Sequence, residues 1–329
     1  MADRVRVFRF ALSIAGIVIL IVGFNLLIRG GGLGDRTSPI IPDECECSPA
    51  APPMDAADYE IVPHDELATD VQLRSHFSPG ALRTANACGL VPLLRRYCRE
   101  SDPSRRVALR QEVSNRLAVV WLEVSSTAGE LDCEEERADQ IADYLLGVAS
   151  ARKTNLTLWS IIIGALGTVV TSVIALCGAS QKVYRTLGIL FGLAVALVSI
   201  AALRSDQVVV QFTHQRNALA ELRDQPAQRK VLPASVWNYL TWPDSRCGEQ
   251  RSLRDRLLDR WERSGGLGAK APGERQRLMA LLFSPGGMYR ASELAIRGTL
   301  FDQLESYVNL MKHDVLQLVR EFTEMSRDG

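Results

Sequence analysis

Three apolar runs, Phe8–Ile28, Leu156–Cys177 and Leu187–Leu203, dominate this chain. Each is close to the length of a membrane-crossing helix, roughly 17–25 residues. No acidic residue lies in any of them, and the only basic one is Arg9, at the edge of the first. A backbone in hydrocarbon must satisfy its own hydrogen bonds, so such runs fold as helices. The expectation is an all-α integral membrane protein. It has one N-terminal signal-anchor helix, a two-helix transmembrane hairpin and a helical extramembrane domain.

Composition sets the boundaries. Residues 1–28 read as the anchor. Residues 29–60 read as a linker, flexible at Gly30–Gly32 and extended around Pro39, Pro42, Pro49, Pro52 and Pro53. Residues 61–155 form a helical extramembrane region, 156–203 the hairpin, and 204–329 a second helical region. In the first region, Leu109, Val113, Leu117, Val120 and Val124 recur at steps of three and four, one face of a helix. Ala128-Gly129 reads as a break. A second helix then starts near Asp132, with Glu134–Glu136 in its first turn, where the dipole favours acids. Nothing stops it before the second span. The third span reads on through Val208–Arg223 until Pro226.

Residues 226–248 read as irregular, with Trp237, Tyr239 and Trp242 packed on the helical domain. Short helices follow near 249–263 and 273–283. Pro285-Gly286-Gly287 makes a turn, and a last helix covers about Met288–Met325. No strand pattern is read anywhere.

The 38 basic and 38 acidic residues balance, which argues against nucleic acid as a partner. The balance hides an asymmetry. Residues 30–155 hold 21 acids against 13 bases, and the region after 225 holds 13 against 16. Arg4, Arg6 and Arg9 precede the first span, and Lys182 and Arg185 sit between the second and third. Basic flanks favour the cytoplasm. The expected protein therefore has three spans, a cytoplasmic N-terminus and both polar regions on the extracytoplasmic side. Six cysteines lie in those regions: Cys45, Cys47, Cys88, Cys98, Cys133 and Cys247. They are disulfide candidates for an oxidising compartment, with pairing left open.

Two further patterns bear on assembly. Ser160, Gly164, Thr168 and Ser172 repeat every four residues on the second span, as do Gly188, Gly192 and Ala196 on the third. Small residues let helices approach closely in lipid, so these ladders are expected to zip the hairpin. In the last helix, Leu304, Val308, Met311, Val315, Leu318 and Phe322 alternate steps of four and three, with Met325 continuing the row. That is a coiled-coil-like seam, expected to join protomers, with packing inside the domain as the competing reading.

Chemistry is sparse. His64, His76, His214 and His313 lack ligand spacing. There is no phosphate-cradling loop, zinc-protease motif or nucleophile elbow. No cofactor, metal or catalytic set is expected. The expected function is a non-enzymatic, membrane-anchored scaffold or interaction protein of the cell envelope. Membrane lipid, further copies of itself and an envelope protein are its partners. A hairpin flanked by soluble helices, over about residues 105–225, resembles the two-transmembrane effector domains of bacterial conflict systems. That resemblance implies the alternative, a channel or pore-forming effector built on residues 156–203.

Overall fold

A computed structural model describes Cys47 and residues 59–204, 208–226, 229–244, 251–263 and 265–328. The first span, Cys45, Cys247 and nearly all of the 29–60 linker lie outside the described residues. The protein is mostly helical. Of the described residues, 141–209 belong to one compact unit, and Cys47, 59–140 and 210–328 belong to a second.

The first unit is a helix pair. Helix α5, Pro103–Leu176, enters it at residue 141, and α6, Gln181–Leu203, follows after a short turn. Both are long and apolar enough to cross a membrane, with mean hydropathies of 2.1 and 2.5. Only 17% of each apolar window is buried within the protein. Residues such as Ile161, Val169, Ile189 and Leu193 point outward. A core helix of a soluble protein would have covered that surface.

The two helices meet through Leu156, Trp159, Ile163 and Val170 on α5 and Phe191, Ala194, Val195 and Val198 on α6. Gly167 is buried among them, and a Cβ there would stand 2.7 Å from Phe191 Cγ. This corrects the expected four-residue ladders. Ser160 and Gly164 sit at the seam's edge, whereas Thr168, Ser172, Gly188, Gly192 and Ala196 are exposed. At about 100° per residue, a step of four overshoots a turn by about 40°. A strict four-residue ladder therefore winds off the contact, while alternating threes and fours stay on it. We expect Gly167→Leu to destabilise the pair by about 1–3 kcal/mol through overpacking. Gly192→Leu should be tolerated, because no atom lies within 4 Å of its Cβ position. Thermal denaturation in detergent compares the two, and equal losses would refute this seam.

The second unit is built from residues on both sides of the pair. Short helices α1, His64–Thr69, and α2, Val71–Arg74, lead to α3, Pro79–Ala87, and α4, Val91–Arg99. Residues 103–140 of α5 follow. After the pair come β1, Val209–Thr213, α7, Ala218–Asp224, α8, Ala234–Thr241, β2, Pro243–Asp244, and β3, Arg251–Ser252. Then come α9, Leu253–Arg263, α10, Gly265–Gly268, α11, Pro272–Leu282, β4, Gly286–Arg290, and α12, Ala291–Asp328. Strand β1 pairs with β4, and β2 with β3.

Three readings of the sequence are corrected here. Gly129 does not break α5. A mid-helix glycine costs only about 1 kcal/mol against alanine, and burial of Ala128 and Leu131 on either side offsets it. Consequently Glu134 lies mid-helix and buried, not in a first turn. The third span ends at Leu203, and Val209-Val-Gln-Phe-Thr213 is a strand, as its β-branched and aromatic residues favour.

The terminal helix is a central part of the core. α12 packs on α3, α8, α9 and α10, and α3 also packs on α8. Leu304, Val308, Met311, Val315, Leu318, Phe322 and Met325 are all buried within this one chain. The row expected to join protomers is thus a core face of its own domain. The pattern is the same for both uses, since any helix touching neighbours needs an apolar stripe. Polar ties fix the register. Asp314 Oδ2 accepts from Arg83 Nη2 at 3.0 Å and from the Tyr239 hydroxyl at 2.6 Å. Asn86 brackets Val62 by accepting from its N–H and donating to its C=O, each at 2.9 Å.

Candidate functional site

A buried polar cluster lies where α5, β1, β4 and α12 meet inside the second unit. Tyr289, facing inward from β4, and His214, just past β1, are fully buried. His214 Nε2 is 2.7 Å from the Tyr289 hydroxyl, which itself donates to the Leu281 carbonyl at 2.9 Å. Asn217 Nδ2 lies 3.3 Å from His214 Nδ1 and donates to Leu282 and Ser284 carbonyls at 2.9 and 3.0 Å.

Three charges stand beside this ring. Glu134 Oε2 accepts from Arg137 Nη2 at 3.1 Å and lies 3.6 Å from Arg297 Nη2. Arg137 Nη2 also donates to the Thr213 carbonyl at 2.8 Å, and its guanidinium lies over Phe212. Arg297 is fully buried, lies over Phe301 and donates to the Leu282 carbonyl at 3.3 Å. Glu134 is therefore the one carboxylate shared by two buried guanidiniums.

Burial and the two arginines push His214 down to about 3, so the ring is neutral at physiological pH. Burial also lowers Arg297 to about 10 and raises Tyr289 to about 12. None of these groups titrates near neutrality. A cavity of about 260 Å³ adjoins the cluster, lined by Arg216, Asn217, Lys230 and Ser284 among others. Neither His214 nor Tyr289 lines it. The arrangement ties helices to a strand pair.

Glu135 has no hydrogen-bond or ion-pair partner among the described residues. Burial, then Asp302, Asp139, Glu305 and Asp132, raise Glu135 to about 7. Its folded value lies above its unfolded value of 4.5. The destabilisation is absent below about 4.5, grows as pH rises from there to about 7, and is complete above it. Glu135→Gln should raise the melting temperature at pH 8 and leave it unchanged near pH 4. A scan at both values checks this, and a loss at pH 8 would contradict it.

The cysteines divide. Cys47 and Cys133 form a disulfide across 86 residues. Cys88 and Cys98, expected as bridge candidates, are free thiols. Cys88 is wholly enclosed, and burial pushes it up to about 12. Cys98 is half-buried with its Sγ 3.9 Å from Met325 Sδ, and burial raises it too. Each packs as a small apolar side chain, the commonest state of a buried cysteine. Cys177 is free and exposed. Among the described residues, no group of three histidine, cysteine or acidic side chains could hold a metal ion.

Sequence reasoning missed the His214, Tyr289, Glu134, Arg137 and Arg297 cluster. Its one local signal is the i, i+3 spacing of Glu134 and Arg137. No family model matches the chain, and no curated protein or solved structure matches it either.

Proposed function

We propose that this is an integral membrane protein whose helical unit is a non-enzymatic interaction module on the oxidising face of the membrane. The observation that carries it is the contrast between two kinds of surface. The α5–α6 pair turns apolar side chains outward and needs lipid around it. The helical unit buries the His214, Glu134, Arg137 and Arg297 cluster, yet leaves Trp121 and Leu122 of α5 exposed at 45% and 68%. Adjacent exposed apolar residues of that size suit a protein contact. The Cys47–Cys133 bridge fits an oxidising compartment. Lys182 and Arg185, beside the turn between the helices, fit the cytoplasm. With Phe8–Ile28 as a third span, both polar regions face away from it.

Self-association through the terminal helix loses its support, since that face is filled. An envelope protein is the partner this reading favours. The channel alternative is weakened by the hydroxyls of the pair. Thr168 Oγ1 donates to the Gly164 carbonyl at 3.0 Å and Ser160 Oγ to the Thr157 carbonyl at 2.8 Å. They satisfy themselves on their own helix and do not need a water-filled path.

The test is site-specific photo-crosslinking in intact cells from position 122, with Asp132 as an exposed polar control. A discrete adduct from 122 alone is expected. No adduct, or unitary conductance of the purified protein in a planar bilayer, would reject the interaction reading. Labelling of a cysteine at 122 only from the cytoplasm would reject the orientation.

A further inference from the structure

Six of the thirteen basic residues in the acidic stretch 30–155 fall within sixteen positions: Arg95, Arg96, Arg99, Arg105, Arg106 and Arg110. Two have structural work. Arg95 is held by Asp70 at 2.8 Å and Glu66 at 2.6 Å. Arg106 lies over the Tyr97 ring at 5.0 Å. Three others, Arg96, Arg99 and Arg105, line a single open groove of about 470 Å³ between α4 and the first turns of α5.

These three are loosely engaged. Arg96 approaches Glu112 only to 3.9 Å, and Arg105 approaches Asp102 only to 3.7 Å. Neither distance is a hydrogen bond. Arg99 has no hydrogen-bond or ion-pair partner among the described residues, and all three are exposed. Glu100 and Glu112 line the groove as well, but the stretch 95–110 holds six arginines against two acids, and both acids also accept backbone N–H groups. Glu100 accepts from the Asp102 N–H at 3.0 Å, and Asp102 accepts from the Ser104 N–H at 2.9 Å. A groove with three exposed guanidiniums, in a stretch whose arginines outnumber its acids, is matched by a multiply charged oxyanion. A guanidinium fork binds two oxygens at once, and a phosphoryl group presents enough oxygens for more than one fork.

We propose that the groove bounded by Arg96, Arg99 and Arg105 is a binding site for a phosphoryl group. It is carried by a soluble phosphate compound or by a phospholipid headgroup. This site is independent of the interaction surface at Trp121 and Leu122. Surface arginines without such a ligand would simply be solvated, and the two cases separate by titration.

Isothermal titration of the full-length protein in uncharged detergent tests it, with inorganic pyrophosphate and with dioctanoyl phosphatidic acid as separate probes. Saturable binding of at least one is expected. The triple variant Arg96→Gln, Arg99→Gln, Arg105→Gln should lose tenfold or more in affinity, while exposed Arg320→Gln on α12 should lose none. Circular dichroism checks the fold, and Arg99→Gln alone gives a smaller loss if the triple variant is unstable. Response to pyrophosphate alone assigns a soluble source, and to the lipid alone a headgroup. Absence of saturable binding, unchanged affinity in the variants, or an equal response to acetate would overturn the proposal.

Discussion

Replacing Glu134 by alanine is expected to lower the stability of the helical unit by about 3–5 kcal/mol, the usual loss when one partner of a buried ion pair is removed. The direction follows from what the carboxylate leaves behind. Arg137 and Arg297 are both buried, and Glu134 lies within 3.1 and 3.6 Å of them. Arg137 would keep the Thr213 carbonyl and Arg297 the Leu282 carbonyl, but neither would keep a counter-charge. Two like charges would then face each other in a poorly solvated space. Glu134→Gln should be milder, because the amide oxygen still accepts a hydrogen bond. The double change Glu134→Leu, Arg297→Met should recover much of the loss, since an apolar pair removes the stranded charge. Chemical denaturation followed by tryptophan fluorescence measures all three. A Glu134→Ala protein within 0.5 kcal/mol of the parent, about the scatter of ordinary surface substitutions, would show that the cluster is solvated.

The second large effect is expected from Cys133→Ser. The Cys47–Cys133 bridge spans 86 residues. Constraining a loop of that length removes denatured-state entropy worth about 4–5 kcal/mol on the chain-entropy account. The loss should appear as a lower melting temperature in the oxidised protein, with Cys47→Ser giving the same value. The two changes together should cost no more than either one, because they break a single bond. Additive losses, or no loss at all, would show that the two sulfurs are not joined.

Periodicity made part of this fold legible and concealed another part. Leu109, Val113, Leu117, Val120 and Val124 mark the buried face of α5, and all five are buried. The terminal row from Leu304 to Phe322 was legible as an apolar stripe. Its partner was not, because a stripe records that a face is covered and says nothing of whether the cover belongs to the same chain. The spans were visible through length and absence of charge, but the contact between α5 and α6 depends on angular drift. A row of small residues every four positions looks regular in text and turns away in space. The junction at His214 lay beyond reach for another reason. Its members come from residues 134–137, 213–217, 281–284, 289 and 297, and each local segment is unremarkable in composition. Only a fold that brings a strand pair against the middle of α5 makes them neighbours. Pro243–Asp244 and Arg251–Ser252 form strands of two residues each, too short to leave a pattern of alternation.

The helical unit draws its core from both ends of the sequence, and this orders events during synthesis. Arg83 finds Asp314 across 231 positions. At roughly 5–20 residues per second, the ribosome needs on the order of 10–50 s to make the intervening chain. Throughout that interval α3 has been made, while the long helix that covers it has not. Contacts of such range are slow to nucleate, because the loop must be closed before they reward it. The early helices must therefore wait, with apolar surface uncovered, until α12 arrives to cover them.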